Sequence, residues 1–148
     1  MEHPTVSVAE SVTGGLLMGL IVGTPDSGSW FQGGVVPYQS RFKMTLLGVE
    51  PGPVVNARTA RQMANGVREM FGTDIGISTT GVAGPESIEN QEVGTVFTGW
   101  STSDGTEVIH LDLNGDPDQI RSEAVSLTYR RLIQLRSSDP AAGSATSD

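Results

Sequence analysis

Hydrophobic and polar positions change rhythm several times along the chain, and each change predicts an element. Thr5 to Ala9 alternates and is β-branched, which predicts a first strand. Leu16 to Val22 is an unbroken apolar run after a Ser/Thr/Gly turn, and predicts a buried helix. Gly23 to Ser29 is loop by composition, and the Val-rich stretch Trp30 to Tyr38 predicts a second strand. Its Gly33-Gly34 pair implies that backbone passes close to something. Ser40 to Leu47 predicts two helical turns with Ser40 as cap. Ala60, Met63, Ala64, Val67 and Met70-Phe71 recur with period 3.6, so a helix is expected over 57–71, capped by Asn56.

Ile75 to Thr80 predicts a third strand, followed by a long loop from Gly81 to Val93. Gly94 to Ser101 and Thr106 to Leu113 form an expected hairpin across Ser103-Asp104-Gly105, because Asp-Gly favours tight turns. Asp116 then reads as the N-cap, and Pro117 as the first residue, of a last helix to about Leu135. The order β-α-β-α-α-β-loop-β-β-α predicts an α/β fold, a three-layer α/β/α sandwich around a mixed sheet. One domain is expected over 1–136. Residues 137–148 are mostly Ser, Ala, Gly and Asp, a composition expected to form a disordered tail.

Composition narrows the chemistry. A chain of 148 residues can bury about two-thirds of its unfolded surface as one domain. A net charge of −8 argues against a nucleic-acid partner, which requires a basic face. No run reaches the roughly 18 apolar residues of a membrane span, and Glu2-His3-Pro4 is unlike a secretion signal, so no membrane partner and a cytoplasmic location are expected. The absence of cysteine removes thiol nucleophiles, disulfides and thiolate metal sites. His3 and His110 are far apart, which leaves a histidine metal site or a Ser-His-Asp triad poorly supplied; His110, in a strand pattern, reads as a structural residue. Of nine basic residues one alone is a lysine, Lys43, so amine chemistry has Lys43 or the N-terminus to draw on.

Three Gly-rich or hydroxyl-rich segments follow predicted strands, where open α/β sheets place ligands. Glu10 to Gly15 has glycines that admit a ligand to the backbone, before a helix whose free N–H groups would favour an anion. The same residues also suit a plain helix cap through Ser11 or Thr13. Thr79 to Pro85 offers a hydroxyl pair and glycines, and reads equally well as a structural turn. Tyr38 and Lys43 straddle a strand-to-helix junction, where both can face one pocket; a lone lysine on a short helix is otherwise a solvated group.

Ala9-Glu10-Ser11-Val12-Thr13-Gly14-Gly15 resembles the A-E-S-C-T-G-G signature of the CinA C-terminal domain family, the bacterial nicotinamide mononucleotide deamidases. Pro25 to Tyr38 is similar to the family's P-G-S-S-A-W-F-x-G-G-V-V-x-Y. Lys43, Leu47-Gly48-Val49, Thr80 to Pro85, Val93 to Val96, and Gly115-Asp116 followed by Arg121 continue the likeness in order. The resemblance implies a three-layer α/β/α fold and hydrolysis of the nicotinamide carboxamide to a carboxylate and ammonia, with no metal and no cofactor. It implies a serine–lysine mechanism assisted by a tyrosine, which would place the catalytic roles on Lys43, Tyr38 and a hydroxyl from Ser11, Ser27 or Ser29. Contacts to a small nucleotide substrate would fall on Glu10, Thr13, Gly14 and Gly15 in the first segment and on Gly34 in the second strand. Thr80, Gly81, Gly84 and Arg121 complete that set.

The chain departs from the family pattern at four places. The family Cys is Val12, the second Ser of its Ser-Ser pair is Gly28, and the Arg after Gly-Asp is Pro117. Its glycine run after Gly84-Pro85 is the acidic segment Glu86 to Glu92. Gly28, Pro117 and the acidic segment point to the alternative of a module that binds a ligand without turning it over, whereas Lys43, Tyr38 and Ser11 together favour the enzyme. The helix that family members carry ahead of the first strand is also expected to be missing. Apolar surface is therefore expected near that strand, and with it a homo-oligomer.

Overall fold

The computed structural model describes residues 3–137, so most of the expected tail lies outside the described residues. In it β1 (Val6–Glu10), β2 (Phe31–Val35), β3 (Ile75–Gly81), β4 (Thr95–Thr102) and β5 (Gly105–Asp112) form one sheet in the order β2-β1-β3-β4-β5. β1 lies parallel to β2 and β3, whereas β4 and β5 run antiparallel. The helices are α1 (Leu16–Val22), α2 (Ser40–Leu47), α3 (Ala57–Phe71) and α4 (Pro117–Ser137). None of the described helices is long and apolar enough to cross a membrane.

Alternation along the strands divides the sheet between two helical layers. Val6, Val8, Ile75, Ile77 and Trp100 pack with Leu17 and Ile21 of α1 and Val125 and Leu132 of α4. Ala9, on the other face, joins Leu47 and Val49 with Met63 and Val67 of α3. That second face is built for close approach. A Cβ on Gly76 or Gly99 would lie 2.3 Å from a carbonyl oxygen of α3, and the Ser78 hydroxyl donates to Ala60 O at 2.6 Å. The mixed α/β sandwich expected from the residue pattern is therefore present.

Several boundaries move for identifiable reasons. β2 stops at Val35 rather than Tyr38, since Pro37 cannot donate to a ladder. Ser40 opens α2 but does not cap it; Gln39 occupies the cap position without a side-chain bond. Asn56 does cap α3, accepting from Thr59 N at 2.8 Å. The Asp116 carboxylate accepts from Gln119 N, and Gln119 Oε1 accepts from Asp116 N, both at 2.8 Å, a reciprocal box that starts α4. α4 then continues to Ser137, two residues beyond the expected end. His110 stacks on Phe97 with centroids 4.6 Å apart and meets Asp112 at 3.1 Å, a structural role on β5.

Candidate active site

The three parallel strands end on one edge of the sheet. α1, which follows β1, lies on the α4 face, and α3 covers the opposite face, so the crevice at these carboxyl ends sits at a topological switch point. A cleft of about 250 Å3 opens there. Ser11 from the end of β1, Tyr38 and Lys43 around the start of α2, Thr80 and Gly81 from β3, Gly84, and Arg121 from α4 all line it. Seven residues singled out in the sequence thus come together from five separate segments.

Lys43 is 2% exposed, on the inner face of a two-turn helix that otherwise carries its polar residues outward. Its amine donates to the Tyr38 carbonyl at 2.9 Å. Burial pushes the Lys43 pKa below the ordinary lysine value, because the charged form loses its water; the Glu89 carboxylate works in the opposite direction. The Ser11 backbone N–H is held by Thr79, at 3.0 Å to its carbonyl oxygen and 3.3 Å to its hydroxyl, which fixes the strand end. The Ser11 hydroxyl has no hydrogen-bond partner among the described residues. Tyr38 contributes its carbonyl to Lys43, while its ring stands largely in solvent at 66% exposure. Thr80 is committed to the wall: its hydroxyl donates to Val54 O at 2.7 Å.

The remaining candidates lie outside the cleft. Glu10 is fully buried, and its carboxylate accepts from Leu17 N and Met18 N at 2.9 Å and from the Thr13 hydroxyl at 2.6 Å. That carboxylate fills the start of α1, so the N–H groups of Leu17 and Met18, expected to attract an anion, are already taken. Neither Ser11 nor Thr13 caps α1; the cap position is Gly15, in a left-handed conformation, and Glu10 supplies the acceptor. Thr13 joins Glu10 to the Thr79 hydroxyl at 2.8 Å, and Gly14 and Gly15 supply the positive φ of the turn. Gly34 packs against the neighbouring strand, where a Cβ would lie 2.1 Å from Val8 O. The close backbone approach foreseen for Gly33-Gly34 is made by protein. Ser27 and Ser29 form a short 3-10 turn and donate to Val22 O and Asp26 O.

Replacing Glu10 by alanine is expected to destabilise the fold by about 3 kcal/mol, because two buried N–H groups and a hydroxyl lose a charged acceptor. Urea unfolding of the variant checks it; an unchanged midpoint would refute this role.

Sequence reasoning missed Gln39, Val54, Val55, Ile88 and Glu89, which also line the cleft. Val54 and Val55 belong to a connection with no motif of its own. Ile88 and Glu89 belong to the acidic segment that departs from the family pattern, and that departure was the one signal available.

The CinA C-terminal domain model matches residues 1–136. The chain belongs to the CinA family. This CinA domain is 42% identical to a CinA-like protein of Frankia casuarinae, over 91% of this chain and 33% of that protein. It is 40% identical to a putative competence-damage inducible protein of Acetivibrio thermocellus, over 89% and 34%. The chain therefore spans about a third of the length of these curated relatives. The crystal structure of an Escherichia coli CinA superfamily protein superposes with a TM-score of 0.86 at 28% identity, covering 90% of this chain and 81% of that one. That of a competence/damage inducible protein from Agrobacterium tumefaciens gives 0.82 at 28%, covering 90% and 86%.

Proposed function

We propose that this CinA domain is an amidohydrolase that converts the carboxamide of nicotinamide mononucleotide to the carboxylate, releasing ammonia. One observation carries the reading: a serine hydroxyl without a hydrogen-bond partner and a buried lysine of lowered pKa line the same cleft. The Ser11 oxygen attacks the carboxamide carbon while the Lys43 amine takes its proton. Lys43 returns that proton to the departing nitrogen as the C–N bond breaks, which releases ammonia and leaves an ester on Ser11. A water molecule, deprotonated by the same amine, then attacks the ester; as the acyl C–O bond breaks, Lys43 passes that proton to the Ser11 oxygen, which frees the acid and restores the serine. Arg121 commits one guanidinium nitrogen to Asp118 at 2.6 Å and has further donors for the substrate phosphate.

The test is ammonia release from nicotinamide mononucleotide by the purified protein and by Ser11→Ala. Release by the wild type and its loss in the variant are expected. Stoichiometric binding without release would replace the enzyme with a ligand-binding module, and an active Ser11→Ala would remove Ser11 as the nucleophile.

A further inference from the structure

The acidic segment after Pro85 turns back on itself across the cleft. Glu89 and Asn90 both have left-handed backbone, with φ of 55° and 61°, and Ile88 bridges Gln91 beside them. Two successive positive φ values are the pattern of a type I′ turn, which asparagine tolerates and glutamate does not favour. A disfavoured residue kept at such a position points to work done by its side chain. The Glu89 carboxylate accepts from Val54 N at 2.8 and 3.0 Å, one bond to each oxygen, and from Val55 N at 2.8 Å. Thr80 holds the carbonyl of the same Val54. The irregular stretch between α2 and α3 is thereby gripped from two sides, and it forms one wall of the cleft.

We infer that Glu89 is a positioning residue for the cleft that Lys43 lines: its carboxylate anchors residues 54 and 55 as the cleft wall and is thereby held, as a fixed negative charge, in the same cleft as the lysine. The inference rests on the amidohydrolase reading for its catalytic meaning. The titratable groups that line the cleft with Lys43 are Tyr38 from the β2–α2 connection, Arg121 from α4 and Glu89 itself; none comes from α3, which packs against α2. The Glu89 carboxylate favours the ammonium form of Lys43, against the burial that disfavours it. A carboxylate there keeps the amine from becoming so weak a base that it cannot hold the proton of Ser11 during attack.

Lys43 is the single lysine of the chain, so protein labelled with 13Cε-lysine shows one side-chain resonance to titrate. Glu89→Gln keeps an oxygen acceptor for the two amides and removes the charge. The Lys43 titration midpoint is expected to fall in this variant, and the acidic limb of its kcat/KM profile to move to lower pH with it. A purely structural Glu89 would leave both unchanged. An unshifted or raised midpoint in folded Glu89→Gln overturns the electrostatic part. In the wild type itself, the Val54 and Val55 amides are expected to exchange with solvent at least about ten-fold more slowly than free-chain amides. Unprotected amides overturn the clamp even if the variant does not fold. A wild type that releases no ammonia yet shows the midpoint difference ends the amidohydrolase reading and leaves this inference standing.

Discussion

Lys43→Gln is expected to cut ammonia release at least about 100-fold while the protein stays folded, the loss typical of a missing acid–base group. Lys43→Arg is expected to be nearly as damaging, since a guanidinium does not surrender its proton near neutral pH. These two variants separate catalysis from binding. Were Lys43 only a phosphate ligand, arginine would restore much of the activity and the defect would sit in KM rather than kcat. The pH dependence follows from burial, which lowers the Lys43 pKa, with Glu89 opposing. A general base must be neutral, so activity is expected to rise with pH through the lowered value. Stability carries the same sign. Between the folded pKa and the ordinary lysine value the unfolded chain binds more protons, so stability rises with pH across that window. Below it, the fold bears the cost of a buried ammonium. Lys43→Met, which removes that cost, is therefore expected to unfold at higher urea than the wild type at pH 7 while releasing no ammonia. A fully active Lys43→Gln would sink both the catalytic and the phosphate-binding roles.

The legible parts of this fold are those in which local chemistry and tertiary packing agree. α3 announces itself through an apolar stripe and Asn56, and the structure places its cap on that residue. Asp116 and Pro117 do the same for α4. The site was legible as a set of strand ends, because the edge of a parallel sheet concentrates such turns whatever the ligand. What local reading could not assign was the direction of each polar group. Glu10 closes β1 and Ser11 follows it directly, yet the two part: the Glu10 carboxylate is buried at the start of α1, whereas Ser11 lines the cleft. Alternation predicts that they diverge but not which one meets the cavity. Gly34 has the composition of a ligand-contacting glycine and is explained by β1 and Met18. Glu89 lies 46 positions beyond Lys43, and their proximity depends on a turn with two unusual φ values that no local pattern announced.

Gly94→Ala is expected to be the most destabilising single methyl addition near the site, by about 3 kcal/mol or more. Gly94 joins the long loop to β4 with φ +97°, a backbone conformation that side chains with a Cβ rarely adopt. A Cβ there would also sit 1.8 Å from Leu113 O and 2.8 Å from the carbon bearing it, and both are backbone atoms with nowhere to rotate. Gly94 N donates to Val82 O at 2.7 Å and Leu113 N donates to Gly94 O at 2.9 Å, so this residue ties the cleft loop to the end of β5. Relieving the clash must lengthen one of those bonds. Displacement of Val82 would carry along Ala83 and Gly84, which line the cleft, so ammonia release is expected to fall together with the urea midpoint. Gly28→Ala is the matched control. Its added methyl meets nothing within 4 Å and its φ is not in the disfavoured range, so its stability should stay within about 0.5 kcal/mol of wild type. If Gly94→Ala unfolded at the same urea concentration as Gly28→Ala, the junction would be pliable, and close packing at Gly94 could not be what fixes the cleft loop.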